Sequence, residues 1–395
     1  MAKGKKLKRV LSAALAVVML LGLAAPALAQ EDEGNGVRVV QVDNSAVTPK
    51  VELERPTLHA EEMPLGNQTV RVAIVLDGKS TMDAGYALEG VADNAAAVAY
   101  RAGLQRTQAR MEDVISARAL GGERLDVVWN FTLAANIISA NVPYGKLDAI
   151  RAVPGVKDVV LETRYDLTDD TVAAESPNMA TSGGMIGTTV AYDGGYTGAG
   201  QRIAIIDTGT DTDHRSFAAD SFEYAILEDA KKVDESVADF AGAAEKLDLM
   251  TKEDVLELLP QLNIASKVAE NEKDKLYYTS KLPFGYNYVD SDYDITHDND
   301  NGSEHGSHVA GISAANRYVT VKNGEQTEFK PALDEVKTQG VAPDAQILTM
   351  KVFGKRGGAY DSDYMAAIED AIVLGADSIN LSLGSSSAGR PTSRL

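Results

Sequence analysis

Ile203-Ala204-Ile205-Ile206-Asp207-Thr208-Gly209 is the stretch on which the fold reading turns. An unbroken apolar run that ends in a carboxylate and a Thr-Gly pair reads as an interior strand of a parallel sheet, buried on both faces. The Thr-Gly pair lets the chain turn sharply and leaves the Asp207 carboxylate at the strand's carboxyl end, where open α/β sheets place their sites. Alone, an acid there reads rather as a cap for the next turn. A second stretch changes the balance. Glu304-His305-Gly306-Ser307-His308-Val309-Ala310-Gly311 puts an imidazole at the start of a helix of small residues. A buried acid that orients a histidine is two-thirds of a serine-hydrolase triad.

Downstream elements repeat the alternation. Gly340-Val341-Ala342-Pro343-Asp344 turns into a strand over Gln346 to Val352, and Ser362 to Leu374 reads as a helix. Its inward residues are Tyr364, Ala367, Ile368, Ala371 and Ile372, with Gly375 closing its end. A further strand covers Ser378 to Gly384. Strands alternating with helices define a doubly wound parallel sheet, an α/β fold.

Upstream, residues 1–29 read as an export signal: Lys3, Lys5, Lys6, Lys8 and Arg9, then an apolar Val10 to Ala25, then Pro26 and the small-x-small Ala27-Leu28-Ala29. An uncleaved anchor is the alternative, and stable membrane insertion after cleavage is not expected. Residues 30–69, acidic and broken by Pro49, Pro56 and Pro64, read as a flexible leader. Residues 70–167 form a separate module with a strand at Val70–Leu76, a helix over Val91–Leu120 and strands at Leu125–Thr132 and Ala135–Val142. A short helix, Gly145–Ala152, and a strand, Val156–Leu161, complete βαββαβ, with both helices on one face of an antiparallel sheet. Gly78-Lys79-Ser80-Thr81 resembles the tail of a phosphate loop, but the first glycine of that pattern would fall at Ala73, inside the strand. These residues read as a polar turn.

Composition removes whole classes of partner. The 395 residues carry 38 Lys and Arg against 58 Asp and Glu, a formal charge of −20, which argues against nucleic acid and anionic membranes. Cysteine is absent, so neither disulfides nor thiolate metal sites can form. A charge-rich insertion at about 218–278, with a capping box at Thr251-Lys252-Glu253-Asp254, reads as a surface elaboration that shapes substrate access. Asp290, Asp292, Asp294, Asp298 and Asp300 could gather around calcium, but the twelve-residue calcium-loop pattern is not met. His305 and His308 lack the third ligand of a zinc site. Set among Val309, Ala310 and Ile312, His308 reads as a packed or capping histidine, whereas His305 is placed to meet an incoming hydroxyl.

Asp207-Thr208-Gly209 with His214 behind it, His305 to Gly311, Gly340 to Pro343 and Asn380-Leu381-Ser382-Leu383-Gly384 together resemble the subtilisin-like serine peptidases (subtilases), in that family's order. The insertion and the Lys281 to Asn299 segment resemble its lactocepin-like cell-envelope group. The resemblance implies a secreted zymogen of Gram-positive bacteria that hydrolyses polypeptides without a required cofactor. Residues 168–395 would form the N-terminal part of a subtilisin-like catalytic domain, preceded at 70–167 by a ferredoxin-like α+β propeptide. Asp207 would orient and stabilise the imidazolium, and His305 would be general base, then general acid. Ser382, Leu383 and Gly384 would hold an extended substrate. The propeptide would act as an intramolecular inhibitor, cut between Glu162 and Met185.

Two departures accompany the resemblance. Arg215 and Ser216 replace the proline and the calcium-binding acid of compact relatives. The family's oxyanion asparagine and Gly-Thr-Ser nucleophile motif are expected past residue 395, since Ser385, Ser386 and Ser387 lack that context. Residues 1–395 alone are thus expected to be inactive. The alternative function is a non-catalytic product, a propeptide-type inhibitor or binding module.

Overall fold

The computed structural model describes residues 64–165, 179–298, 300, 304–324 and 326–382. The expected export signal and nearly all of the leader lie outside them, as do Leu383 and Gly384.

The first module contains β1 (Thr69–Leu76), α1 (Ala95–Arg118), β2 (Asp126–Phe131), β3 (Ile137–Pro143), α2 (Leu147–Arg151) and β4 (Val156–Leu161). Its sheet runs β2-β3-β1-β4 with every pairing antiparallel, an α+β arrangement. The two-residue alternation of β1 sends Val72, Ile74 and Leu76 into a core with Ile115, Leu120, Ile138 and Ile150. Ala73, on the other face, joins Trp129, Phe131 and Ile137 in a second core that extends beyond the module. Helix α1 is shorter than its periodicity predicts. Val91–Asp93 forms a separate 3-10 turn, and the Asn94 side chain accepts from the Ala96 and Ala97 N–H groups, which fixes the helix start at Ala95.

The chain continues through β5 (Arg164–Tyr165), α3 (Met179–Ile186), α4 (Thr188–Asp193), β6 (Arg202–Asp207), α5 (Ala219–Val233), α6 (Phe240–Leu247) and α7 (Lys252–Leu258). Then come β7 (Phe284–Asn287), α8 (His305–Ala314), β8 (Tyr318–Asn323), β9 (Gln326–Pro331), α9 (Ala332–Glu335), β10 (Gln346–Lys351), β11 (Ala359–Tyr360), α10 (Asp361–Val373) and β12 (Ser378–Asn380). Strands β12-β6-β10-β7 form one fully parallel sheet, in which Asp207 pairs with Lys351 and Lys351 with Asn287. Ala204, Ile206, Leu348 and Met350 are buried, as an interior strand pair requires.

Helix α10 carries four buried acids, Asp361, Asp363, Glu369 and Asp370, a composition that is costly unless each carboxylate finds donors. Each does. Asp363 accepts from Trp129 Nε1 at 3.0 Å and Arg71 Nη1 at 3.1 Å. Glu369 accepts the Leu133 and Ala134 N–H groups at 3.0 and 2.8 Å. Asp361 accepts the Thr163 N–H at 2.7 Å. Asp370 accepts from the Asn263 N–H at 2.5 Å and Tyr288 Oη at 3.0 Å. The first module thus sits on α10 through charge-assisted bonds.

The insertion departs from the surface elaboration read in the sequence. Val255, Leu262, Ile264 and Leu276 are buried in the same core as Trp129, Phe131 and the α10 alanines. The Lys and Glu residues that gave the segment its solvent-facing character alternate with these apolar anchors, and composition averages the two together.

Candidate active site

Strand β6 delivers Asp207 to its carboxyl end, 1% exposed. The turn that follows requires glycine. Gly209 has φ +114°, and a Cβ there would lie 2.4 Å from the Ile295 carbonyl oxygen. Helix α8 begins at His305 and approaches this turn so closely that a Cβ on Gly306 would fall 2.1 Å from the Gly209 oxygen. The Gly306 N–H donates to Thr208 Oγ1 at 2.9 Å, and the Asp211 N–H donates to Ser307 Oγ at 2.8 Å. The helix start and the strand end are therefore stitched together on both sides of the acid.

Between those stitches His305 Nδ1 lies 2.8 Å from Asp207 Oδ1. The same oxygen accepts the Thr208 N–H at 2.7 Å. An ionised carboxylate only accepts, so Nδ1 carries the proton and Nε2 keeps its lone pair. The His305 side chain is 47% exposed while the acid is buried, so the pair offers a basic nitrogen at the surface above an enclosed charge. Asp207 Oδ2 is buried and has no hydrogen-bond partner among the described residues.

Beneath the pair, Lys351 is fully buried, donates Nζ to the Thr296 carbonyl and pairs with the buried Asp300 carboxylate. The Thr210 N–H donates to the Ile295 carbonyl at 2.8 Å. The segment leading to α8 is thus tied to both strands that flank the site. Composition marks Lys351 only as one cation in an apolar strand, and nothing in its spacing names Asp300 as its partner.

The other candidates lie apart. His308 is exposed rather than packed, because its helical position turns away from the face carrying Val309 and Ala310. His214 caps a 3-10 turn, its Nδ1 accepting the Ser216 N–H at 3.2 Å. In the acidic loop, Asp290 accepts from Asn287 Nδ2 and the Lys355 N–H, and Asp292 pairs with Lys355 Nζ at 3.0 Å. Among the described residues no group of three or more His, Asp or Glu side chains could hold a metal ion. Ser382 is exposed, its Oγ donating to Asn380 Oδ1 at 2.9 Å, just past the end of β12.

Strand β11 is among the elements that sequence reading does not name. Gly357-Gly358-Ala359-Tyr360 supplies β11, which pairs antiparallel with Arg164–Tyr165 immediately after the first module. The signal was present in the paired glycines, which break the chain ahead of an extended pair and the capping box that opens α10.

The carboxyl end of the parallel sheet thus presents a buried carboxylate hydrogen-bonded to a half-exposed imidazole. Residues 198–394 match the model of the Subtilase family, and the chain carries a subtilase domain. It is 31% identical over 264 residues to the PI-type proteinase of Lactococcus lactis subsp. cremoris, covering 66% of this chain and 11% of that protein. It is 28% identical over 260 residues to the minor extracellular protease Vpr of Bacillus subtilis, covering 63% of this chain and 23% of that protein. A C5a peptidase of Streptococcus pyogenes is 29% identical over 188 residues, 47% of this chain and 12% of that protein. The chain thus spans about a tenth to a quarter of the length of these relatives. Among the described residues no helix is long and apolar enough to cross a membrane.

Proposed function

We propose that this chain belongs to an exported serine endopeptidase made as a zymogen, with Asp207 and His305 as two members of its triad. The observation that carries the reading is the single hydrogen bond that fixes the histidine tautomer, His305 Nδ1 to Asp207 Oδ1 at 2.8 Å. With Nε2 free, the imidazole takes the proton of a serine hydroxyl as that oxygen attacks the scissile carbonyl, then returns it to the leaving amine. Asp207 stabilises the imidazolium between the two steps and stays ionised. No metal or organic cofactor enters this chemistry.

The first module is its inhibitor. In support, the chain leaving that module lies as an antiparallel strand along Ala359–Tyr360, with the Thr163 N–H on Asp361. An extended polypeptide substrate would use the same backbone groups. Ser382, with Leu383 and Gly384, is the other proposed substrate edge.

A fluorophosphonate probe and casein hydrolysis test the reading on the full-length gene product. Stoichiometric labelling that disappears in His305→Ala is expected. A folded, unlabelled protein whose first module blocks an active relative would replace the reading with that of a binding inhibitor.

A further inference from the structure

The insertion between β6 and α8 buries a strip, Leu259 to Lys267, against two partners at once. One partner is α10. The Asn263 N–H donates to Asp370 Oδ1 at 2.5 Å, and Leu262 and Ile264 are buried. The other is the first module. Arg101, buried on α1, donates Nη2 to the Gln261 carbonyl at 2.9 Å, and Gln261 Nε2 donates to the Ala92 carbonyl at 3.3 Å. The Lys267 ammonium lies 4.2 Å from the centre of the Trp129 ring, whose indole N–H is held on α10 by Asp363. Val91, Ala97 and Trp129 of the module share one core with Leu262 and Ile264 of the strip. Glu369 joins all three parts, taking the Leu133 and Ala134 N–H groups from the module and, at 3.4 Å, Asn263 Nδ2 from the strip.

A strip that served the catalytic fold alone would satisfy its polar groups inward or in water. Here the Gln261 carbonyl and Nε2 and the Lys267 cation are committed to the first module, and a buried guanidinium comes the other way. Burying a cation is costly without a partner, and Arg101 at this seam meets the Gln261 carbonyl at 2.9 Å and the nearby negative charge of Glu369 and Asp370.

We propose that the insertion is the second jaw of a clamp whose first jaw is α10, and that its partner is the start of α1 together with Trp129 of this chain's own first module. This deepens the zymogen reading and rests on it. Release of the module then requires two separable contacts to open, the carboxylate contact on α10 and the insertion contact at α1. An insertion with this role sets how long the module stays in place.

Amide hydrogen exchange on the full chain tests the clamp without any catalytic step. In Lys267→Ala and in Arg101→Met, amides of the first turns of α1 and of Trp129 should exchange about 5- to 30-fold faster, the range that a lost cation–π or charged contact gives. The Leu133 and Ala134 amides and the β6–β10 ladder should keep their protection, and Lys267→Arg should restore the wild-type rate at α1. Unchanged exchange at α1 in both variants overturns the proposal. So does equal loss across β6 and β10, which would make the strip a brace for the sheet; Lys267 is half-buried, so its truncation should not unfold the chain. Latency of the full-length protein is read separately. A clamp seen by exchange in a protein active with its module attached would refute the zymogen reading and leave the jaw standing.

Discussion

Replacing Asp207 with asparagine separates two things that an acid does for a histidine, orienting it and stabilising its charge. Both the Thr208 N–H and the His305 Nδ1–H point at Oδ1, at 2.7 and 2.8 Å. An asparagine that kept its carbonyl oxygen there would accept both. The flipped amide would set its NH2 against the Thr208 N–H and draw the ring into the other tautomer, so the retained orientation is favoured and the tautomer survives. What is lost is the charge. A carboxylate and an imidazolium centred about 4 Å apart attract by about 4 kcal/mol at an effective dielectric of about 20 and about 1 kcal/mol in bulk water. With the acid buried and the ring half in solvent, the expected fall in kcat/KM lies between about fivefold and about a thousandfold. That is less than the roughly ten-thousandfold loss that accompanies a reversed tautomer. The assay is peptide hydrolysis by the full-length protein, with unfolding followed in parallel, because the new amide nitrogen would lie where Oδ2 is now buried and unpaired. A loss beyond ten-thousandfold in a normally folded variant would refute the role of Oδ1 in fixing the tautomer. No loss at all would refute the general-base assignment.

Three further outcomes are expected. Gly306→Ala forces a methyl to within 2.1 Å of the Gly209 oxygen, so it should cost at least about 1–3 kcal/mol in unfolding and shift the start of α8; an unchanged melting temperature would contradict the close approach. Lys351→Met strands a buried carboxylate and should cost about 3–5 kcal/mol, whereas Lys351→Met with Asp300→Leu should recover part of that; strictly additive values in denaturant titrations would show no coupling. Burial pushes the Asp370 carboxyl from 3.8 up to about 7, against the hydrogen bonds it receives from the Asn263 N–H and Tyr288. Between those values the folded chain holds a proton that the unfolded chain releases, so this group's contribution to stability declines as pH rises from about 4 to about 7, by roughly 4 kcal/mol at most. Asp370→Asn should remove that slope, and denaturation midpoints across the window that fall equally in both proteins would contradict it.

Parts of this structure were legible in the chain because they depend on local pattern. The unbroken apolar run before Asp207 and the two-residue alternation of β1 name interior and half-buried strands without help from elsewhere. Helix α10 was readable from its periodicity, although the reading placed its start one residue late, at Ser362, where Tyr360 and Asp363 close a capping box around Asp361. The same logic misplaced the start of α1, since hydrophobic spacing carried through Val91 while the Asn94 side chain ended the helix at Ala95. It also misjudged the insertion and His308. Periodicity tells which face of an element avoids water, but it does not tell what other segment will cover that face.

By itself, the sequence determined that a carboxylate closes one apolar strand and that an imidazole opens one small-residue helix, because both facts are set by neighbours within a few positions. Only the tertiary structure decided that these two groups, 98 positions apart, share a hydrogen bond. It alone also decided that Asp361, Asp363 and Glu369 of α10 would accept hydrogen bonds from backbone and side-chain donors of a different module. The physical reason is that a buried polar group is defined by its partner, and partners are assigned by packing in three dimensions rather than by order along the chain.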